Sequence, residues 1–169
     1  MPSNLSRRQC LLGVTALLLS GTSHALEAPK GKVILSITGN IKFKNADDRA
    51  DFDVDMLAAL PQQSFTTSTR WYKEPKKFTG PLLRDVLAAA GAQGSTLKAV
   101  ALNDFKVEIP ISDTQQFSML LARLLDDKLM TVREKGPLFI IYPFDTNPKL
   151  QSTLYYSRSA WQLRTLDVQ

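Results

Sequence analysis

The chain has 169 residues and a formal net charge of +5, with one cysteine and one histidine in all. Both rare residues, Cys10 and His24, fall within residues 1–25, which read as a removable leader. The chain beyond residue 25 has neither thiol nor imidazole, which excludes a disulfide, a Cys or His metal site, a cysteine nucleophile and a Ser-His-Asp triad. It is the size of one domain with room for a real core. Its basic surplus is small and scattered, so nucleic acid is not an expected partner.

Residues 1–25 have the layout of a secretory signal. Arg7 and Arg8 form a basic start, 11–20 an apolar run, and Ser23 and Ala25 place small residues at the cleavage-determining positions. Such a run is too short for a stable membrane anchor, and Cys10 precedes it, which argues against a lipoprotein. The stretch SRRQCLL (6–12) resembles a twin-arginine export signal with Cys10 where Phe is usual. A plain basic start accounts for the same arginines, so both export routes stay open. No later apolar run has the length of a membrane span, so the expectation is a periplasmic protein without direct membrane insertion.

Along the remaining chain, 33–38 (VILSIT) predicts a strand closed by Gly39-Asn40, with 41–43 as its partner. Asp51, Asp53 and Asp55 surround the start of a short helix over 54–60, where acidic groups face unpaired N–H groups. Residues 64–69 read as a strand. Pro81 opens a helix whose apolar face is Leu82, Leu83, Val86 and Leu87, and Gly91 stops it. Strands over 96–102 and 106–110 meet at the turn Asn103-Asp104, and Ser112 caps a short turn at Gln115-Gln116. Periodicity in 119–125 (MLLARLL) slightly prefers helix over strand. Asp126-Asp127 is read as an exposed hairpin turn, since too few oxygen ligands converge for a metal. Residues 137–142 (PLFIIY) predict a central strand covered on both faces, and 161–168 a closing strand. Strands outnumber helices without regular alternation, which gives the class α+β in a single domain, 26–169.

The order of these landmarks resembles the molybdopterin-binding domain of the sulfite oxidase fold. The carrying segments are FTGPLLRDVLAAAGA (78–92), ALNDFKVEIP (101–110), EKGPLFIIYP (134–143) and YYSRSAWQLRTLDV (155–168). The resemblance implies a mixed, barrel-like β-sheet fold with a few short helices, and it favours strand over helix at 119–125. The enzymes of that family hold molybdenum through a cysteine thiolate. The corresponding loop here is Thr66-Thr67-Ser68-Thr69, and Ala160 stands where a lysine is expected before Trp161. A neutral hydroxyl has a far higher pKa than a thiol and is a poor soft ligand. The chain more narrowly resembles the PruR-type periplasmic pterin-binding proteins, through TSTRW, ALND-F, KGPLFIIYP and YYSR. That resemblance implies a non-catalytic protein that binds a reduced, metal-free pterin. It further implies regulation of a transmembrane GGDEF/EAL protein that makes or degrades cyclic di-GMP, through that protein's periplasmic domain. The alternatives are a molybdopterin-dependent oxidoreductase with non-cysteine ligation, and an interaction module whose pocket has closed.

A pterin is a flat bicyclic amide, so its recognition calls for a stacking surface, an acceptor for its amidine edge, and hydroxyls or amides for its tail. Arg70, Trp71 and Tyr72 are the candidate stacking groups, Tyr156 is a further candidate contact, and Asp104 is the candidate edge acceptor. Ser68, Thr69 and Asn103 suit ring carbonyl and tail, while Arg133, Lys135 and Arg158 suit polar substituents. Each has a plainer reading: packing for Trp71 and Trp161, a bare turn for Asn103-Asp104, strand-end hydrogen bonding for Ser68 and Thr69, solvated charge for Arg133 and Lys135, and a stacked edge for Tyr155 to Arg158.

Overall fold

A computed structural model describes residues 26–169; the expected leader, with Cys10 and His24, lies outside the described residues. The C-terminal strand β11 (Leu163–Val168) is the middle of a five-stranded sheet. It pairs in parallel with β1 (Leu35–Gly39) and antiparallel with β5 (Thr96–Ala101). Strands β2 (Ala50–Phe52) and β6 (Lys106–Pro110) form the edges. A second sheet runs β3 (Gln62–Thr69), β4 (Tyr72–Pro81), β8 (Leu124–Leu125) and β9 (Lys128–Leu129). The third is the pair β7 (Leu120–Ala122) and β10 (Phe139–Ile141). The result is an α+β domain of several sheets and a few short helices. No sheet closes into a barrel among the described residues, so the barrel-like expectation is corrected to three packed sheets.

Apolar side chains from all three sheets share one core. Phe52, Phe78, Phe139, Tyr142 and Phe144 are its largest members, each at most 1% exposed. Residues 119–125 are strands, not helix: Leu120, Leu121 and Ala122 are all buried, so the continuous apolar run marks burial on both faces, not one side of a helix. The antiparallel partner of β1 is β2 and not 41–43, where Ile41 makes only an isolated bridge to Ala92. Strand β10 is buried as expected but is not central in a sheet; its second edge is covered by Ile140 N–H donating to the Ala160 carbonyl at 2.9 Å.

Helix α1 (Val54–Ala59) begins where the acidic residues predict. Its N-cap Asp53 accepts from the N–H groups of Met56 at 2.9 Å and of Lys30 and Gly31 at 2.8 Å. Asp51 has a different task, pairing with Arg49 and accepting from the Ser36 hydroxyl at 2.6 Å. Helix α2 (Leu83–Ala89) buries Leu83, Val86 and Leu87, but Pro81 belongs to the end of β4 and not to the first helical turn. Helix α3 (Ile111–Gln116) follows Pro110 without a side-chain cap, so Ser112 lies inside it and does not cap it. Helix α4 (Thr153–Arg158) has no counterpart in the sequence-based expectations.

The N–H groups of Met56 and then Gly31 hold the Asp53 carboxyl below its ordinary value. A depressed native pKa makes the contribution full above the unfolded value of about 3.9, and lost as pH falls through the native one. Asp53→Ala is therefore expected to melt below the parent at neutral pH, with the gap narrowing in strong acid; calorimetry across pH checks this.

Candidate functional site

Strands β3 and β4 are joined by a two-residue turn, Arg70-Trp71. Neither residue has positive φ, so the turn lacks the primed geometry that matches strand twist, and the ladder slips beside Ser68. The tip leans on α4. The Arg70 guanidinium lies 4.7 Å from the Tyr156 ring centre, and Trp71 meets Tyr156 edge-on at 5.7 Å. Tyr156 in turn stacks on buried Phe144 at 4.4 Å, and Trp71 meets buried Phe139 edge-on at 5.2 Å.

Phe139 carries the rim onward, because its backbone bridges Trp161. The Lys135 ammonium lies 4.7 Å from the Trp161 ring centre. Lys135 ends a 3-10 turn, Val132–Glu134, in the left-handed region at φ 69°, and Thr131 and Glu134 close that turn as a reciprocal capping box. The Tyr72 hydroxyl donates to the Glu134 carbonyl at 3.1 Å, fastening the start of β4 to the same turn. Beside Trp161 is a depression of about 150 Å³, lined also by Ala101, Asn103 and Phe105.

Arg70, Trp71 and Tyr156 are thus joined by ring and cation contacts, Lys135 on Trp161 is linked to them through the backbone of Phe139, and Asn103 lines the depression beside Trp161. The other sequence-predicted residues are placed differently. Asp104 sits at the β5–β6 tip with φ 63° and pairs with Arg164 at 3.0 Å, both side chains exposed. Asn103 also serves its turn, accepting from the Phe105 N–H at 3.2 Å. The Ser68 N–H donates to Asp145 at 2.7 Å, and the Asp145 N–H donates to the buried Thr67 hydroxyl at 3.1 Å. The Thr69 hydroxyl accepts from the Trp71 N–H at 3.3 Å. Arg133 is exposed on the 3-10 turn. Arg158 turns inward to Asp113 at 2.9 Å, on a carboxylate oxygen that also accepts from the Tyr142 hydroxyl at 2.8 Å. Phe139, which with Phe144 forms the floor of the rim, read in sequence only as part of a buried strand; Phe144 gave no signal, and Phe105 none beyond its place in the motif ALND-F.

Asp126 and Asp127 form the β8–β9 tip, both with positive φ, and pair with Lys76 at 2.7 Å and Lys77 at 2.8 Å. No group of three metal-binding side chains occurs among the described residues. The Thr67 and Thr69 hydroxyls already accept from backbone N–H groups, so this donor set does not fit a thiolate-held molybdenum. No described helix is long and apolar enough to cross a membrane. No protein-family model and no curated protein matches the chain.

Arg158→Ala strips one partner from a buried carboxylate and is expected to cost about 3 kcal/mol, the low end for breaking a buried pair because Arg158 stays 18% exposed. Urea denaturation measures it. Burial, then the charges of Glu134 and Asp126, push the Tyr72 phenol from 10.0 up to about 12. A raised native pKa gives a contribution that is full below about 10 and lost as pH rises through the native value. Tyr72→Phe is expected to remove that alkaline loss, read as melting temperature against pH.

Proposed function

We propose that this protein is a non-catalytic, periplasmic pterin-binding regulator with the sulfite oxidase molybdopterin-domain fold. Its ligand is a reduced, metal-free pterin, and its partner is the periplasmic domain of a transmembrane GGDEF/EAL protein. The observation that carries this reading is the ring cluster of Tyr156, Trp71 and Phe139, to which Trp161 is joined by the backbone bridge from Phe139, with Arg70 over Tyr156 and Lys135 over Trp161. The adjoining depression of about 150 Å³ is below the range of about 300–1,000 Å³ typical of drug-sized ligands, which suits a small heterocycle. Trp161 and Phe105 offer it π surface, and Asn103 an amide. Hydroxyls in place of the thiolate favour a ligand held by stacking and hydrogen bonds alone. The partner and the cyclic di-GMP output rest on the sequence resemblance.

A second reading, an interaction module without a small-molecule ligand, is favoured by the commitment of Asp104 and Arg158 to ion pairs. The oxidoreductase alternative finds no support in the donor set at Thr66 to Thr69. Mass spectrometry of material extracted from the purified protein, followed by fluorescence titration with tetrahydropterins, separates the first two. Binding is expected, weakened about tenfold by Trp161→Ala through lost stacking. A folded protein that takes up no pterin at any oxidation level overturns the proposal.

A further inference from the structure

A second concavity, of about 400 Å³, opens where β1 and β11 begin and β5 ends. Buried Leu35 and Met130 line it, together with Val33, Leu102 and Val132, which are 39%, 43% and 54% exposed. Three of the six exposed large apolar side chains among the described residues therefore share one groove, where scattered single residues are the norm. Leu102 lines this groove while its neighbours Ala101 and Asn103 line the depression beside Trp161, so the two lie on different sides of one loop.

The polar lining has one sign. The hydroxyls of Ser36 and Thr131 are used within the protein, donating to Asp51 at 2.6 Å and Glu134 at 3.0 Å. That leaves Lys32 and Arg164. Lys32 has no ion-pair partner among the described residues, and Asp104 occupies only the Nη2 end of the Arg164 fork. No carboxylate among the described residues lines the groove.

We propose that this groove binds an amphipathic monoanion, a carboxylate or sulfonate carried on an apolar chain or ring. The anion sits on Lys32 and Arg164, whose guanidinium fork suits a carboxylate. The apolar part covers Leu35, Met130, Leu102 and Val132. The volume falls within the range of about 300–1,000 Å³ for small-ligand sites. This assignment does not rest on the pterin reading.

Anilinonaphthalene sulfonate, an apolar ring system bearing one anion, is the direct probe. Its fluorescence is expected to rise on the folded protein, with near-ultraviolet circular dichroism unchanged. Dodecanoate is expected to displace it about tenfold more effectively than dodecanol, the difference a charged hydrogen bond makes. The double variant Lys32→Gln, Arg164→Gln is expected to lose about tenfold in affinity. Leu102→Asp, at an exposed position, removes binding without unfolding the chain, and Lys106→Gln, outside the groove, leaves it unchanged. Equal competition by the alcohol, unaltered binding in the double variant, or no probe signal on the folded protein overturns the proposal. Co-sedimentation with phosphatidylglycerol vesicles without competition by free dodecanoate also overturns it, in favour of a lipid surface.

Discussion

The edge-on contact of Trp71 with Phe139, 5.2 Å between ring centres, joins a hairpin tip to a buried strand. The hairpin end is also tied back by Ser68 and Thr67 to Asp145 and by Tyr72 to Glu134, and this contact seats its tip on β10. Phe139 can fix it because β10 is itself held on both sides, by β7 at Ala122 and by the Trp161 bridge with the Ala160 carbonyl. The same strand therefore sets the height of Trp71, Trp161 and, through Trp161, Lys135. An aromatic pair contributes only about 0.5–1.5 kcal/mol beyond its burial. Its importance here is positional: it seats the hairpin tip, with Arg70, on the strand whose backbone also bridges Trp161.

The opposite wall is set by a buried carboxylate. One oxygen of Asp113 accepts from both Arg158 and the Tyr142 hydroxyl, tying α3, α4 and the residue after β10 at one point. Burial first, and then the bond to Asp113, hold the Tyr142 phenol well above its ordinary value, so it remains a donor across any ordinary pH. A buried carboxylate is costly unless such partners satisfy it. Helix α4 has six residues and no side-chain cap, so this anchor and its tyrosines place it. Tyr155 packs inward on Phe117 and Tyr142, which turns the next residue, Tyr156, toward Phe144 and the hairpin tip.

Much of the fold was legible wherever one residue type has one physical use. Asp53 before an apolar run is such a case, and so are Gly91, with φ 62°, after α2, and the Asp126-Asp127 tip. Periodicity misled at 119–125, because a strand buried on both faces carries the same leucines as a helix with one buried side. Helix α4 was hidden because Tyr155 and Tyr156 look like strand residues, and only their partners in the core make the segment helical. In the candidate site, the ring-bearing residues were legible as types. The roles of the charges were not: Arg158 and Arg133 are indistinguishable in sequence, and only the tertiary approach of Asp113 separates an inward ion pair from an exposed cation.

Arg164 lines the groove, and its partner Asp104 is the chain neighbour of Asn103, which lines the depression. Their ion pair is exposed, so its own worth is small and it is easily exchanged. In the proposed readings an anion in the groove competes with Asp104 for Arg164, which frees a carboxylate next to Asn103. Linkage then runs both ways: whatever the anion does to ring affinity, the ring does to anion affinity. A regulator needs such a differential, because a ligand that binds two states equally shifts neither. A weak surface pair supplies it better than a strong buried one, since the exchange leaves the core untouched.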